Sequence, residues 1–259
     1  MKRVLTAAVL IPLVIGLIFW GNNRSVRLAL TFVALLCLSE FLKLAAHYGA
    51  EPMRLVAYLS GAWVVAAQAA PGMPFFLGVT LLMLTLAMRG GRELAASLPG
   101  VAATLLGIVY TAIPFRMAGD LHAISPQWLF YVLIVNWIGD TAAYYGGRAF
   151  GRHKLAPRIS PGKTWEGAVA SLLVSVPLAT LYVHHHMLRA PPLAFIVGLS
   201  VAVNIAAQVG DLAESALKRG ANVKDSGGLL PGHGGVLDRL DGLLFSVPVV
   251  WVAAGRWAG

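Results

Sequence analysis

The chain has 259 residues, of which 58% are hydrophobic and only 12% are charged, and its mean hydropathy is +0.74. Soluble domains carry about 25% charged residues, so this composition excludes a soluble globular protein and predicts an all-α integral membrane protein. The net charge of +9 indicates an anionic partner, such as membrane lipid headgroups or a nucleotide. Nucleic acid is not expected as a partner, because the sequence has no soluble basic module to bind it. The single cysteine, Cys37, excludes an internal disulfide and a cysteine zinc cluster.

Nine apolar segments approach the length of about 20 residues that a membrane-spanning helix needs. Their approximate limits are 4–20, 26–46, 55–70, 74–88, 98–118, 127–147, 165–188, 192–217 and 240–257. The first also resembles a signal peptide, but it lacks a clear small-residue cleavage site, so we interpret it as a retained helix. The third and fourth are short, and one re-entrant pair around residues 71–74 is the alternative. We therefore predict a polytopic bundle of about nine transmembrane helices. It forms a single domain over 1–259, with N-terminal helices in 1–139 and the functional motifs in 140–259.

The distribution of basic residues predicts the orientation of these helices. With the N-terminus inside, 15 of the 20 Lys and Arg residues fall on the cytoplasmic side, and Arg24, Arg27, Arg116, Arg189 and Arg256 fall on the other. This bias fits the positive-inside rule. We therefore expect a multi-pass protein of the cell membrane whose N-terminus, motif-bearing loops and active site face the cytoplasm.

The eighth segment is apolar except for one stripe of polar residues. Asn204, Gln208, Asp211, Ser215 and Lys218 are spaced by three or four residues and share one helix face. A charged side chain at membrane depth costs several kcal/mol unless it is paired or hydrated. Asp211 is therefore a candidate metal ligand, and a structural polar seam between helices is the alternative.

The sixth segment and the loop after it carry a second group of polar residues. Asn136, Asp140 and Tyr144 share a helix face, and Asp140 has two open roles: a metal ligand, or a partner for a basic residue of the loop. The loop from Arg148 to Glu166 reads RAFGRHKLAPRISPGKTWE, and its five basic residues also fit an ordinary positive-inside excess.

The end of this loop resembles a Walker A motif, but Pro157 stands where that motif requires glycine, so an ATPase P-loop is excluded. Ser160, Lys163 and the start of the next helix remain candidates for phosphate binding. Glu166, in the first turn of that helix, is either part of the site or a favourable partner of the helix dipole.

The segment from Lys224 to Gly242, KDSGGLLPGHGGVLDRLDG, concentrates charge and glycine in an otherwise apolar chain. Its three aspartates, Asp225, Asp238 and Asp241, offer the oxygen ligands that Mg²⁺ prefers. Lys224 and Arg239 offer positive charge for phosphate oxygens, and His233 is a candidate contact for phosphate or a metal-bound group. This density of charge predicts a functional site rather than a solvated turn.

These motifs together resemble those of the phosphatidate cytidylyltransferases, also called CDP-diacylglycerol synthases. The segments that carry the resemblance are Arg3–Pro12, Asp140–Arg148, Ser160–Gly167, Gly210–Arg219, Lys224–Asp225 and Leu230–Asp241. It covers most of the chain and is strongest from Asp140 onward. One departure is Gly162, where the family usually has a second basic residue.

The resemblance implies transfer of a cytidylyl group from CTP to phosphatidate, which gives CDP-diacylglycerol and pyrophosphate. It also implies a homodimer and a centre with Mg²⁺, with K⁺ as a second candidate ion. The metal ligands implied are Asp211 and Asp238, supported by Asp241 and Asp225. The catalytic set is Asp211, Lys218, Lys224, Asp225, His233, Asp238, Arg239 and Asp241. Substrate binding is assigned to Asp140, Arg148, Ser160, Lys163, Glu166, Ser215 and Arg219.

Two other functions remain open from the sequence. A related membrane nucleotidyltransferase or kinase that acts on a polyprenyl or isoprenoid lipid would use the same aspartates. An ion-coupled transporter would also carry polar residues inside the membrane. The transporter is disfavoured because the sequence lacks two related halves and its polar residues cluster at one predicted membrane face.

Overall fold

The computed structural model describes residues 2–89, 94–187, 191–229 and 234–255. Each of the nine predicted segments is helical over most of its described part, so the all-α prediction is confirmed apart from one short hairpin. The fifth segment is a continuous run of α5, a π-helical turn over Ile108–Ala112, and α6. The helices are α1 (Lys2–Trp20), α2 (Asn23–Ala46), α3 (Arg54–Ala66), α4 (Met73–Arg89), α5 (Leu94–Gly107), α6 (Ile113–Ile124), α7 (Pro126–Phe150), α8 (Trp165–His186), α9 (Leu193–Gly220) and α10 (Leu237–Ala254).

Several of these helices have the dimensions of membrane spans. In the described part of the chain, four stretches are long and apolar enough to cross a bilayer: Asn23–Ala46, Ala95–Ile124, Trp165–His186 and Leu193–Gly220. Three more, Ala8–Trp20, Arg54–Ala66 and Met73–Met88, are apolar but shorter. By length and composition these helices fit a multi-pass membrane protein. The number of nine spans, like their orientation, stays a prediction.

The chain divides into two compact units. The first contains Met1–Ala8, Asn22–Gly119 and Leu217–Arg239, and the second contains Val9–Gly21, Asp120–Ala216 and Leu240–Gly259. Each unit is therefore assembled from separate parts of the sequence. The sequence analysis separated the N-terminal helices in 1–139 from the functional motifs in 140–259. That division rests on motifs and stays a prediction.

Close helix packing in the first unit depends on small residues around α2. A Cβ atom added at Gly61 or at Gly107 would lie 2.9 Å from a methyl group of Leu38, which is fully buried. Glycine at these two positions lets α3 and α5 approach α2, as small residues do between membrane helices.

A buried arginine satisfies carbonyl groups at and just after the end of α3, a helix of 13 residues. Arg116 is only 6% exposed, and its guanidinium donates to the carbonyl oxygens of Val64, Ala67, Gln68 and Ala69 at 2.6–3.2 Å. The last carbonyls of a helix lack intrahelical partners, and in an apolar environment each needs a donor. The sequence analysis counted Arg116 as a charge beyond the membrane, whereas the structure uses it inside the first unit to satisfy the end of α3.

In the second unit, α7 and α8 pack closely and a β-hairpin joins them. A Cβ atom added at Gly167 would lie 2.8 Å from the carbonyl oxygen of Ala143, so these helices meet through glycine. Strands β1 (Lys154–Ala156) and β2 (Ser160–Thr164) are antiparallel, with Lys154 opposite Thr164 and Ala156 opposite Ser160. Thr164 then caps α8, because its hydroxyl accepts from the backbone N–H of Gly167 at 3.1 Å. The region predicted as a basic loop is thus an ordered hairpin.

Candidate functional site

The polar stripe of α9 serves two purposes. Its first half is a structural seam: Asn204 donates to the hydroxyls of Ser171 and Ser175 on α8 at 2.8 and 2.9 Å, and Gln208 donates to Asn204 at 2.6 Å. Asn136 of α7 makes a similar buried bond to Ser246 of α10, at 2.9 Å. The seam that the sequence analysis held as an alternative therefore accounts for Asn204 and Gln208. It does not account for Asp211, whose contacts are different.

Asp211 pairs with the lysine of the hairpin. The ammonium of Lys163, on β2, lies 2.5 Å from Oδ2 of Asp211, and the two side chains are 26% and 37% exposed. Ser215, one turn further along α9, directs its hydroxyl to Oδ1 of Asp211 at 3.4 Å. The sequence analysis placed these three residues in one site, and the structure brings them together. The pair is accessible enough to exchange its partners for the charged groups of a ligand.

Glycine brings α10 against α9 next to this pair. A Cβ atom added at Gly210 would lie 2.6 Å from the carbonyl oxygen of Asp241, and one added at Gly242 would lie 2.8 Å from Oδ1 of Asn136. The crossing of α9 and α10 therefore occurs at the residues that carry Asp211 and Asp241. Any larger residue at position 210 would separate the two aspartate-bearing backbones.

The base of the hairpin is fastened by Glu166. Its carboxylate accepts from the backbone N–H of His153 at 3.2 Å, and Oε1 lies 2.6 Å from Nδ1 of the same histidine. His153 was not selected from the sequence, because a lone histidine in a basic loop gives no distinctive pattern. Glu166 thus closes the hairpin that carries Lys163. Its predicted contact with substrate stays a prediction.

Three other predicted substrate-binding residues belong to the second unit. Arg148 is exposed near the end of α7 and lies 3.5 Å from the hydroxyl of Tyr144, Asp140 is exposed one turn before Tyr144, and Ser160 is half-buried at the start of β2. A ligand can therefore reach Asp140 and Arg148 directly and Ser160 in part. Their roles in substrate binding stay predictions.

In the first unit, Asp238 is held by several donors. Its side chain is 6% exposed, and Oδ1 lies 2.5 Å from the ammonium of Lys218. The same carboxylate accepts from the backbone N–H of Ser226 at 2.9 Å and of Gly235 at 2.7 Å. Asp238 therefore fixes the loop before α10 to the end of α9, besides any role in catalysis.

A buried glutamate that the sequence analysis missed lies beside Asp238. Glu40 of α2 is 3% exposed and accepts from the backbone N–H of Leu237 at 2.8 Å, the backbone N–H of Val236 at 3.1 Å and the hydroxyl of Ser226 at 3.1 Å. An acidic residue in the middle of an apolar run was the available signal. It was missed because Glu40 belongs to no dense run of charged or glycine residues, and Lys43 is the only other charged residue close to it in the sequence.

The remaining predicted residues of this unit are exposed or fall outside the described part. Lys224, Asp225, Arg219 and Arg239 are exposed, and Arg219 donates to the carbonyl oxygen of Val223 at 3.4 Å. The prediction for His233 lies outside the described residues. The structure therefore leaves the roles of these five residues as predictions.

The two principal aspartates, one in each unit, differ in how well they fit a divalent cation. Within residues 2–89, 94–187, 191–229 and 234–255, no three His, Cys, Asp or Glu side chains form a group that could hold a metal ion. Asp211 fits Mg²⁺ in kind, because its carboxylate is partly exposed and Mg²⁺ needs only one or two carboxylates beside water and phosphate oxygens. Asp238 fits less well, because its oxygens already accept from several donors. The two aspartates belong to different units, and their sharing of one ion stays a prediction.

Comparison with known proteins identifies the family. The model of the cytidylyltransferase family matches residues 1–255 of the chain. The chain belongs to the cytidylyltransferase family. This confirms the resemblance that the motifs indicated, and it covers the N-terminal helices as well as the motif-rich segments.

Curated cytidylyltransferases of this family include similar proteins from several bacteria. The phosphatidate cytidylyltransferase of Haemophilus influenzae is 46% identical over 123 residues, which is 46% of this chain and 43% of that protein. Those of Bacillus subtilis and Staphylococcus aureus are 42% and 38% identical over 149 and 148 residues, which is 56% of this chain and 55% and 56% of theirs. The matched part of the chain thus spans about half the length of these relatives.

Proposed function

We propose that this protein transfers a cytidylyl group from CTP to phosphatidate. The observation that carries the proposal is the ion pair between Lys163 and Asp211 at the crossing of α9 and α10, in a chain of the cytidylyltransferase family. The phosphatidate cytidylyltransferases similar to this chain support the choice of CTP and phosphatidate. A nucleotidyl transfer needs a cation for phosphate oxygens and a carboxylate for a metal, and this pair supplies one of each.

In the proposed reaction, an oxygen of the phosphatidate phosphate attacks the α-phosphorus of CTP. The bond between the α-phosphorus and the bridging oxygen to the β-phosphorus breaks, and pyrophosphate leaves with that electron pair. The lipid phosphate is itself the nucleophile, so the protein needs to position the two substrates and stabilise the developing charge. This requirement is met by fixed cations and carboxylates.

Lys163 and Asp211 divide these tasks. Lys163 leaves Asp211 when nucleotide binds, and its ammonium then holds a phosphate oxygen of the leaving pyrophosphate. The residues that would hold Mg²⁺ are Asp211 and Asp241, because α9 and α10 cross where they lie. The ion, when bound, neutralises phosphate charge. Ser215, within hydrogen-bond reach of Asp211, orients that carboxylate.

The setting of the reaction is also part of the proposal. We propose that nine helices span the membrane, with the N-terminus and the hairpin on the cytoplasmic side, where CTP and Mg²⁺ are available. The bias of 15 among 20 basic residues supports this orientation. The resemblance to the family supports a homodimer, which cross-linking of the purified protein in detergent would reveal.

The test is product formation by the purified, full chain. Given CTP, Mg²⁺ and short-chain phosphatidate, the protein should release pyrophosphate and form CDP-diacylglycerol in equal amounts, measured by a coupled assay and by mass spectrometry. Omission of phosphatidate should abolish both products, and arms with and without K⁺ test the second ion. A polyprenyl phosphate used in place of phosphatidate, or a nucleoside diphosphate product in place of pyrophosphate, would contradict the proposal and indicate a different lipid transferase.

A further inference from the structure

Glu40 is a charged residue placed where charge is costly. It lies in α2, a helix with the length and composition of a membrane span, and its side chain is buried at 3% exposure. An ionisable residue in such a helix is normally paired and serves a function. The proposed reaction makes no use of Glu40, which is distant in sequence from every predicted site residue.

The partners of Glu40 all belong to the segment that leads into α10. One carboxylate oxygen accepts from the backbone N–H of Leu237, the first residue of α10, at 2.8 Å and from the hydroxyl of Ser226 at 3.1 Å. The other accepts from the backbone N–H of Val236 at 3.1 Å. The first N–H groups of a helix lack intrahelical partners and carry partial positive charge. Glu40 therefore caps α10 from a different helix and ties the two ends of the loop together.

Two glycines of the loop make room for this carboxylate. A Cβ atom added at Gly235 would overlap Oε2 of Glu40 and the hydroxyl of Ser226, and one added at Gly227 would lie 2.5 Å from Oε1. Part of the glycine content of the segment is therefore explained by the approach of Glu40. A Cβ atom at Gly228, by contrast, meets nothing within 4 Å.

We infer that Glu40 is a positioning residue, which fixes the loop before α10 and thereby orients Asp238. Asp238 follows the two backbone amides that Glu40 binds, and it shares the donor Ser226 with Glu40, through the backbone N–H in one case and the hydroxyl in the other. Loss of the Glu40 anchor would let the loop and Asp238 shift together. This inference rests on the proposed function only where it predicts an effect on turnover.

The first variant is Glu40→Gln, which keeps the size of the side chain but removes its charge and one acceptor oxygen. Because small misplacements in a site can cost up to about 100-fold in rate, we expect kcat for pyrophosphate release to fall by about 10- to 100-fold, with KM for CTP close to wild type and a lower melting temperature, because one buried donor loses its acceptor. Hydrogen–deuterium exchange should rise at the backbone amides of Val236 and Leu237 and stay unchanged in α2. The matched control is Glu51→Gln, at an exposed glutamate outside the site.

The second variant keeps Glu40 in the sequence but pushes its side chain out of position. Gly235→Ala should reproduce the loss of turnover and the local rise in exchange, whereas Gly228→Ala should match wild type in both. This pair also covers the case in which Glu40→Gln fails to fold.

Three results would overturn the inference: wild-type turnover in folded Glu40→Gln, unchanged exchange at residues 236 and 237, or equal effects of Gly235→Ala and Gly228→Ala. The exchange measurement needs no substrate, so it separates this inference from the proposed function. If the wild-type protein released no pyrophosphate but Glu40→Gln still loosened the loop, the proposed function would fail and the anchor would stand.

Discussion

Replacement of Asp211 by asparagine separates a structural ion pair from a catalytic carboxylate. Asparagine has the size of aspartate and keeps one carbonyl oxygen for the hydroxyl of Ser215, which lies 3.4 Å from Oδ1. It loses the charge that pairs with Lys163 at 2.5 Å. Any effect on turnover therefore reports the missing charge, since the shape of the side chain is conserved.

The expected effects on stability and on rate differ in size. The side chains of Lys163 and Asp211 are 26% and 37% exposed, and ion pairs with this access to solvent contribute only about 0–1 kcal/mol to folding. A carboxylate that holds a metal against the reacting phosphates contributes more, because loss of one strong transition-state contact costs roughly 2.7–4 kcal/mol. We therefore expect kcat to fall by at least about 100-fold, while the melting temperature changes little.

The assay is pyrophosphate release from CTP and short-chain phosphatidate over a range of Mg²⁺ concentrations. Size-exclusion elution and melting temperature in detergent serve as folding controls, and Glu51→Gln serves as the control for charge. The variant should also need more Mg²⁺ for half-maximal activity. Near-normal turnover in well-folded Asp211→Asn would refute a metal role for this residue and leave the pair with Lys163 as a structural contact.

Three further predictions follow from other parts of the fold. Arg116→Ala removes the donor that serves four carbonyl groups at the end of α3, so unfolding in detergent should become easier by at least about 2 kcal/mol; a melting temperature equal to wild type would contradict this role. Asn204→Ala should lower the free energy of unfolding by about 1–2 kcal/mol through loss of its hydrogen bonds to Ser171 and Ser175, while kcat stays at the wild-type value. A large loss of turnover would instead indicate that Asn204 belongs to the active site. Lys154 lies on β1 opposite Thr164, the residue before α8, and His185 lies in the last turn of α8; both are exposed. Cysteines at these two positions should react with a membrane-impermeant thiol reagent from opposite sides in intact and inverted vesicles. The wild-type background suffices because Cys37 is 0% exposed, and labelling of both from one side would contradict a spanning α8.

The hydrophobic pattern was sufficient to predict the helices, because long apolar runs have few other stable structures in a membrane. The limits of α2, α8 and α9 lie close to the predicted ones. The hairpin between α7 and α8 escaped prediction, since its alternating pattern is short and is obscured by basic residues and proline. Its tether, His153, escaped for a similar reason, because a single histidine carries no periodic signal.

The candidate site could be predicted in composition but not in its partnerships. Motif spacing selected Lys163, Asp211 and Asp238 as site residues, because dense charge in an apolar chain is uncommon without a function. Which cation lies against which carboxylate depends on helix packing: Lys163 reaches Asp211 through the hairpin, and Lys218 reaches Asp238 at the end of α9. Glu40 is the clearest case, since its partners lie 186–197 residues further along the chain. By itself the sequence determined the class of protein, the helices and the kinds of charged group, because these follow from local hydropathy and residue chemistry. Only the tertiary structure decided that Glu40 caps α10 and that Arg116 donates to the carbonyl groups around the end of α3, because a buried charge is stabilised by donors and acceptors that folding brings to it from distant segments.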